Sequence, residues 1–312
     1  MPYLNAYRPP PALTEAPYHE STPLEDYDLN WVYGSVPPLL ETPGGVRLVP
    51  LIPSLHGKRL YQLLSAHRET YVYLPYGPFE TYSAFLTKLE LSRRDRNSLT
   101  FAVYDLSIDL PPPSRNDTRQ ADTTREDPTL EGGKGLREER LAGIVGVKES
   151  NFANRMTEIG NVHIAPPFQR THVSTHSISL LLHWALNPPT PSEPFNLGLR
   201  RVQWFANPLN VPSVTAAQKL GFFLEAPCIE WERTLPSRRG KIALALPNFV
   251  NEDEERRELE TERGGGRHSS LLSLDWERWE TQGQGREFLV ELVKSRPVRR
   301  RKLEDIEGLA LD

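Results

Sequence analysis

Apolar and polar residues alternate over Val46-Arg47-Leu48-Val49-Pro50-Leu51, and a period of two predicts a strand. The period then changes. From Ser54, a residue suited to capping, Leu60, Leu63 and Leu64 recur on one helical face and predict a helix to about Ser65. Thr81–Leu91 does the same with Phe85, Leu86 and Leu89, after a turn-rich link over Tyr71–Pro78. Leu99–Leu106 is mostly apolar and β-rich. Leu141–Val147 and Glu158–Ile164 are apolar runs joined by a short polar link, which predicts antiparallel neighbours. A long helix follows from about Thr171 to Leu186, apolar at Val173, Ile178, Leu181, Leu182 and Trp184.

Val202, Trp204 and Ala206 alternate with Arg201, Gln203 and Phe205, so a strand runs from Arg200 to Ala206. Asn210 caps a predicted helix from Val211 to about Leu220, with Pro212 in its first turn and Gly221 stopping it. Phe222–Thr234 and Ser269–Leu274 read as strands, and Trp276–Val293 as one last helix. The order β, α, α, β, β, β, α, β, α, β, β, α predicts an α/β (α+β) sheet with helices on both faces. No internal repeat is visible.

Between these elements the composition shifts. Residues 1–44 are rich in proline and tyrosine and read as an irregular arm, either draped on the core or partly disordered. Polar insertions are expected near 109–140, 187–197 and 236–267. The first has almost no apolar residues over Pro111–Glu139 and cannot bury enough surface to order itself. The third carries the charge-dense run Asn251–Arg263. Residues 294–312 form a charged tail whose basic stretch, Arg296–Lys302, reads as solvated. One domain is therefore expected over 45–293.

The bulk numbers narrow the class. The chain has 312 residues, 38% hydrophobic and 25% charged, as expected of a globular protein with a sizeable core. A net charge of −4 gives no reason to expect a nucleic-acid partner. No apolar run reaches the ~18 residues of a membrane helix. The N-terminus has no charged start followed by an apolar stretch, so no signal peptide is read. The one cysteine, Cys228, rules out an internal disulfide framework and reads as a small core residue. It fits a reducing compartment, cytoplasmic or nuclear.

Candidate chemistry begins at Gln169-Arg170-Thr171-His172-Val173-Ser174-Thr175. This stretch lies between a strand and a helix, so its backbone N–H groups converge at a helix start, where the dipole is positive and phosphate binds. His172 and His176 have the i, i+4 spacing of a helical metal pair, but no third ligand accompanies them, and no metal site is read. His163 alternates with Val162 and Ile164 and faces either a cleft or the opposite side of the sheet. Tyr71, Tyr73, Tyr76 and Phe79 either line a pocket or serve in core or loop packing.

Three blocks carry a family resemblance. The first is Arg47-Leu48 with Tyr73-Leu74-Pro75-Tyr76-Gly77-Pro78-Phe79. The second runs from Glu158-Ile159-Gly160 through Pro167-Phe168-Gln169-Arg170-Thr171 into the long helix. The third is Val202-Gln203-Trp204, then Asn210-Val211-Pro212-Ser213, then Ala217-Gln218-Lys219-Leu220-Gly221-Phe222. Together they resemble the GNAT superfamily of acyl-CoA-dependent N-acetyltransferases, and the third block is similar to the RimJ/RimL-like branch. The resemblance covers roughly Gly45 to Thr234 and, weakly, Ser269 to about Val293.

The resemblance implies a mixed, mostly antiparallel GNAT-type sheet and acetyl-CoA as acyl donor. It places the CoA pyrophosphate on the amides of Gln169, Arg170, Thr171, His172, Val173, Ser174 and Thr175. His172 stands where the family usually has glycine, and Ser174 where it has glycine or alanine. Glu158 takes the place of the strand glutamate that acts as general base, Asn210 that of a contact to the CoA arm, and Ser213 that of a hydroxyl near the leaving sulfur. Asn210 and Ser213 also read simply as a helix-capping pair. Glu158 also reads simply as a strand residue in a salt bridge at the sheet surface. The expected partners are acetyl-CoA and a primary amine, either a protein N-terminus or a small molecule. An alternative is a non-catalytic GNAT-like module working through its insertions, motivated by His172 at the glycine position.

Overall fold

A computed structural model describes residues 13, 18–110, 137–234 and 266–307; most of the first and third insertions lies outside the described residues. The strands in chain order are β1 (Leu40–Thr42), β2 (Val46–Pro50), β3 (Leu99–Asp105), β4 (Ile108–Asp109), β5 (Leu141–Asn151), β6 (Met156–Ile164), β7 (Arg201–Ala206), β8 (Phe223–Thr234), β9 (Gly266–Asp275) and β10 (Arg301–Lys302). Eight of them form one sheet in the order β1-β2-β3-β5-β6-β7-β9-β8, while β4 and β10 form a separate pair. Every neighbour in the large sheet is antiparallel except β6 and β7. The α/β (α+β) reading of the sequence, with a mostly antiparallel sheet, is thus what the chain forms.

The helices are α1 (Lys58–Ser65), α2 (Tyr82–Arg94), α3 (His172–Leu186), α4 (Val211–Lys219), α5 (Trp276–Glu280), α6 (Gly285–Ser295) and α7 (Glu304–Glu307). Alternation along β3 sorts them onto faces. Thr100 shares a cavity wall with Leu64 of α1 and Phe85 of α2. Its neighbour Phe101 points the other way and meets Trp184 of α3 edge-on, with ring centroids 5.6 Å apart. The parallel pair needs a crossover, and α3 supplies it between β6 and β7.

Several local expectations change. Ser54 caps nothing: its hydroxyl donates to Thr22 O at 2.7 Å, and the helical stretch starts at Pro53 behind Ile52, whose N–H donates to His56 Nδ1 at 2.9 Å. The arm contributes strand β1 and buries Trp31, whose ring lies 6.3 Å from that of Trp184. The segment 187–197 is a tight return held to the end of α3, with Leu197 N–H on Trp184 O and Trp184 Nε1 on Phe195 O, both at 2.9 Å. Trp276–Val293 is two helices, because Gly283 at φ +74° and Gly285, the first residue of α6, at φ +43° turn the chain where the second begins. The apolar spacing continues across that break and reads as one helix. Cys228 is half-exposed on β8 rather than a core residue.

The basic tail is not wholly solvated. Arg301 donates to the carboxylate of Asp105, which has no exposed surface, and to Pro167 O at 2.9 Å, and its guanidinium lies over the Phe168 ring. A buried carboxylate requires such a partner, and the sequence places the two residues almost 200 positions apart.

Candidate functional site

The site is organised by a gap in the sheet. The β6–β7 ladder runs from Met156↔Arg201 to Ile159↔Trp204 and then ends, although β6 continues to Ile164 and β7 to Ala206. The two strands part beyond Ile159. β6 is bulged at the same place: Gly146 of β5 pairs with Gly160, but Ile144 pairs with His163, so an advance of two residues on β5 matches three on β6. Asn161 takes φ +51° in the bulge, and its Nδ2 donates to Thr100 Oγ1 at 3.1 Å. The strands are parallel, so both gap-side ends lead into helices, α3 after β6 and α4 after β7.

Glu158 is the last residue but one before the strands separate. Only 1% of its side chain is exposed. Lys148 stands opposite it on β5, with Nζ 2.7 Å from Oε1, and Arg233 Nη2 lies 3.8 Å from Oε2. Burial raises the carboxyl pKa, against the pull of Lys148 and Arg233. Glu158 is therefore salt-bridged, as one sequence reading had it, but inside the protein rather than at the sheet surface. Glu158 and Gln203 share one face of the sheet, and Ile159 and Trp204 the other. Trp204 Nε1 donates to Ser213 Oγ at 3.1 Å. Glu158 and Ser213 thus approach the gap from opposite faces.

The turn before α3 is built by local bonds. Gln169 Nε2 donates to Ile164 O at 2.7 Å, and the side chains of Gln169 and Arg170 are exposed. Arg170 takes φ +60°, uncommon for a residue with a side chain, and turns the chain into the helix. Thr171 is the N-cap: its Oγ1 accepts from Val173 N at 3.2 Å and donates to Phe168 O at 2.7 Å. Val173 is buried, and Ser174 and Thr175 are partly so. His172 turns inward. Its Nε2 lies 3.4 Å from Asp105 Oδ1 and 3.3 Å from Gly45 O. His176 bonds Thr42 Oγ1 through Nδ1 at 3.0 Å and Arg296 O through Nε2 at 3.2 Å. At the start of α4, Asn210 Oδ1 accepts from Ser213 N at 3.2 Å.

On the face of α1 and α2, Tyr71, Tyr76, Phe79, Lys88, Asn161 and His163 line a cavity of about 10 Å³, room for about one water. Tyr73 is not in its wall. Lys88 Nζ lies 4.7 Å from the Tyr76 ring centroid, and burial lowers its pKa to about 8. Thr70 Oγ1 donates to His67 O at 2.6 Å, so His163 Nε2–H donates to Thr70 Oγ1 at 2.8 Å. That leaves His163 Nδ1 bare, without a partner among the described residues. Burial holds His163 neutral, with a pKa near 4.

A family model for the acetyltransferase (GNAT) domain matches residues 46–223, more than half of the chain. The chain belongs to the GNAT acetyltransferase family. Members of this family are acyltransferases that use acyl-CoA and an amine acceptor. The fold agrees. A GNAT-family protein from Chromobacterium violaceum superposes with TM-score 0.54 at 22% identity, over 87% of this chain and 100% of that one. A GCN5-related N-acetyltransferase from Brucella melitensis gives 0.53 at 18%, over 86% and 94%. At such identity the likeness concerns the fold. No functionally curated protein matches in sequence. Glu158 lies beside the gap where β6 and β7 part, and the Gln169–Thr175 turn and the Asn210–Ser213 pair lie at the starts of the helices that follow those two strands. Lys148, Arg233, Lys88 and Asp105 also belong to this region and were missed from the sequence. Lys148 lies one residue beyond the predicted strand Leu141–Val147, and only the observed register sets it opposite Glu158.

Proposed function

We propose that this GNAT chain is an acetyl-CoA-dependent N-acetyltransferase of the RimJ/RimL-like type, acting on a primary amine by direct attack in a ternary complex. The observation that carries this reading is the parting of β6 and β7 after Ile159↔Trp204, with a helix start at the end of each strand and Glu158 beside the gap. In this reading the turn from Gln169 through Thr175 takes the pyrophosphate, with the helix-start amides of His172 and Ser174 as its donors, since Gln169 N already donates to Pro166 O and Val173 N to Thr171 Oγ1. The inward turn of His172 supports it, because the side chain at the usual glycine position points to Asp105 and Gly45 O. Asn210 contacts the CoA arm. Ser213, already receiving the Trp204 indole proton, offers its own to the departing thiolate.

Glu158 deprotonates the incoming amine. Its raised pKa suits that task, because a base works best with a pKa close to the working pH. The acceptor is a protein N-terminus or a small-molecule amine. The direct test is calorimetry with CoA, followed by free-thiol release from acetyl-CoA with a panel of amines and N-terminal peptides. Saturable CoA binding with acceptor-dependent thiol release is expected. Absence of CoA binding sinks the reading.

A further inference from the structure

Glu158 already holds an amine. Lys148 Nζ lies 2.7 Å from its Oε1, from the register position directly opposite on β5. The lysine stem crosses β6 over Gly160: a Cβ added there would come within 2.6–2.8 Å of Lys148 Cε, Cδ and Cγ. Gly160 is the first residue of β6 beyond its last pair with β7. The amine is therefore delivered to the point where the strands part, on the face that carries the aromatic cavity. A purely structural pair would serve equally well elsewhere along the ladder; this one occupies the position where an acceptor amine would meet the base.

We propose that Lys148 is an internal acceptor, acylated by acyl-CoA at Nζ, and that this modification releases Glu158 to serve external amines. The proposal rests on the acyl-transfer reading above. In the step, the Lys148 ammonium gives one proton to Glu158, and its lone pair attacks the thioester carbonyl carbon. The C–N bond forms and the C–S bond breaks as the tetrahedral adduct collapses. The second amine proton goes to the departing thiolate, and Glu158 passes the first to solvent. The products are an amide, free CoA thiol and one proton, with no further reactant. Burial assists, because it raises the Glu158 pKa and lowers that of Lys148, so that the proton moves more readily from amine to carboxylate. The resulting amide carries no charge. Glu158 then keeps Arg233 at 3.8 Å as its nearest cation, and a carboxylate with less opposing charge is a stronger base.

The test uses the purified full chain. Acetyl-CoA binding is measured by calorimetry, the protein is incubated with isotope-labelled acetyl-CoA without acceptor, and peptides are mapped by mass spectrometry. Label on Lys148 is expected well ahead of label on the exposed Lys294, together with a lag in external-amine turnover that a preincubated sample lacks. Lys148→Arg keeps the cation and should carry no label at that position. Glu158→Gln should slow labelling by about 100-fold, the lower range for a positioned base. The wild-type map decides even if a variant fails to fold. Acetyl-CoA binding and external turnover with Lys148 unmodified overturn the proposal, as does labelling of Lys148 no faster than Lys294. Failure to bind acetyl-CoA overturns the enzyme reading itself, and the internal acceptor with it.

Discussion

Replacing Arg301 with alanine removes the cation that holds Asp105. Asp105 has no exposed surface, and its carboxylate accepts from Ser107 N at 2.9 Å, Ser107 Oγ at 2.6 Å and Arg301 Nη2, with His172 Nε2 at 3.4 Å. Breaking one side of a buried pair costs about 3–5 kcal/mol when the other charge is left bare. Here Ser107 and His172 remain, which places the loss below that range. Titration leads to a similar size. Burial pushes the Asp105 carboxyl up, but the bonds from His172, Ser107 and Arg301 outweigh it and hold the pKa at about 2, down from an ordinary 3.8. At about 1.4 kcal/mol per pKa unit, the whole cluster contributes roughly 2–3 kcal/mol. Arg301→Ala is therefore expected to lose about 1–2 kcal/mol at pH 7, a share of the cluster's total, because the His172 and Ser107 bonds remain. The folded pKa is depressed, so the stabilisation is complete above the ordinary carboxyl value and is lost as pH falls from about 4 towards about 2. The variant should show a flatter acid limb than the wild type. Urea unfolding followed by tryptophan fluorescence over that pH range reads both quantities. Asp105→Asn with Arg301→Gln leaves no buried charge alone and should cost less than Arg301→Ala. A single variant within about 0.5 kcal/mol of wild type at pH 7, the range of an ordinary surface change, would refute the reasoning.

Glu158→Gln should lower kcat/KM by about 100-fold or more while calorimetric CoA affinity stays unchanged, since a base acts on the acceptor proton and not on the donor. Asn210→Ala removes the cap on Ser213 N and should cost about 1 kcal/mol in a denaturant melt, with a raised KM for acetyl-CoA. Thr171→Ala likewise frees the Val173 amide and should cost about 1 kcal/mol, measured by thermal unfolding with and without CoA.

The central strands and helices were legible along the chain because each buries one face. Val202, Trp204 and Ala206 are buried exactly where alternation puts them, and Asn210 caps α4 with the side-chain bond expected of it. The turn Gln169–Thr175 could be located between a strand and a helix for the same reason. Ser54 was misread because a capping residue type does not say which acceptor it will find, and Thr22 O is remote in sequence. The α5–α6 break was hidden because the apolar spacing runs through the glycines that cause it.

What the chain alone determined, then, is which segments bury a face and where helices begin, since both follow from neighbours a few residues apart. Tertiary structure decided the charge partners. His172 and Arg301 lie 129 residues apart yet converge on Asp105, and Glu158 meets Lys148 across the β5–β6 ladder and Arg233 from β8, a strand that does not pair with β6. A buried charge takes its partner from whatever folding brings within a few ångströms, and no local period records that choice.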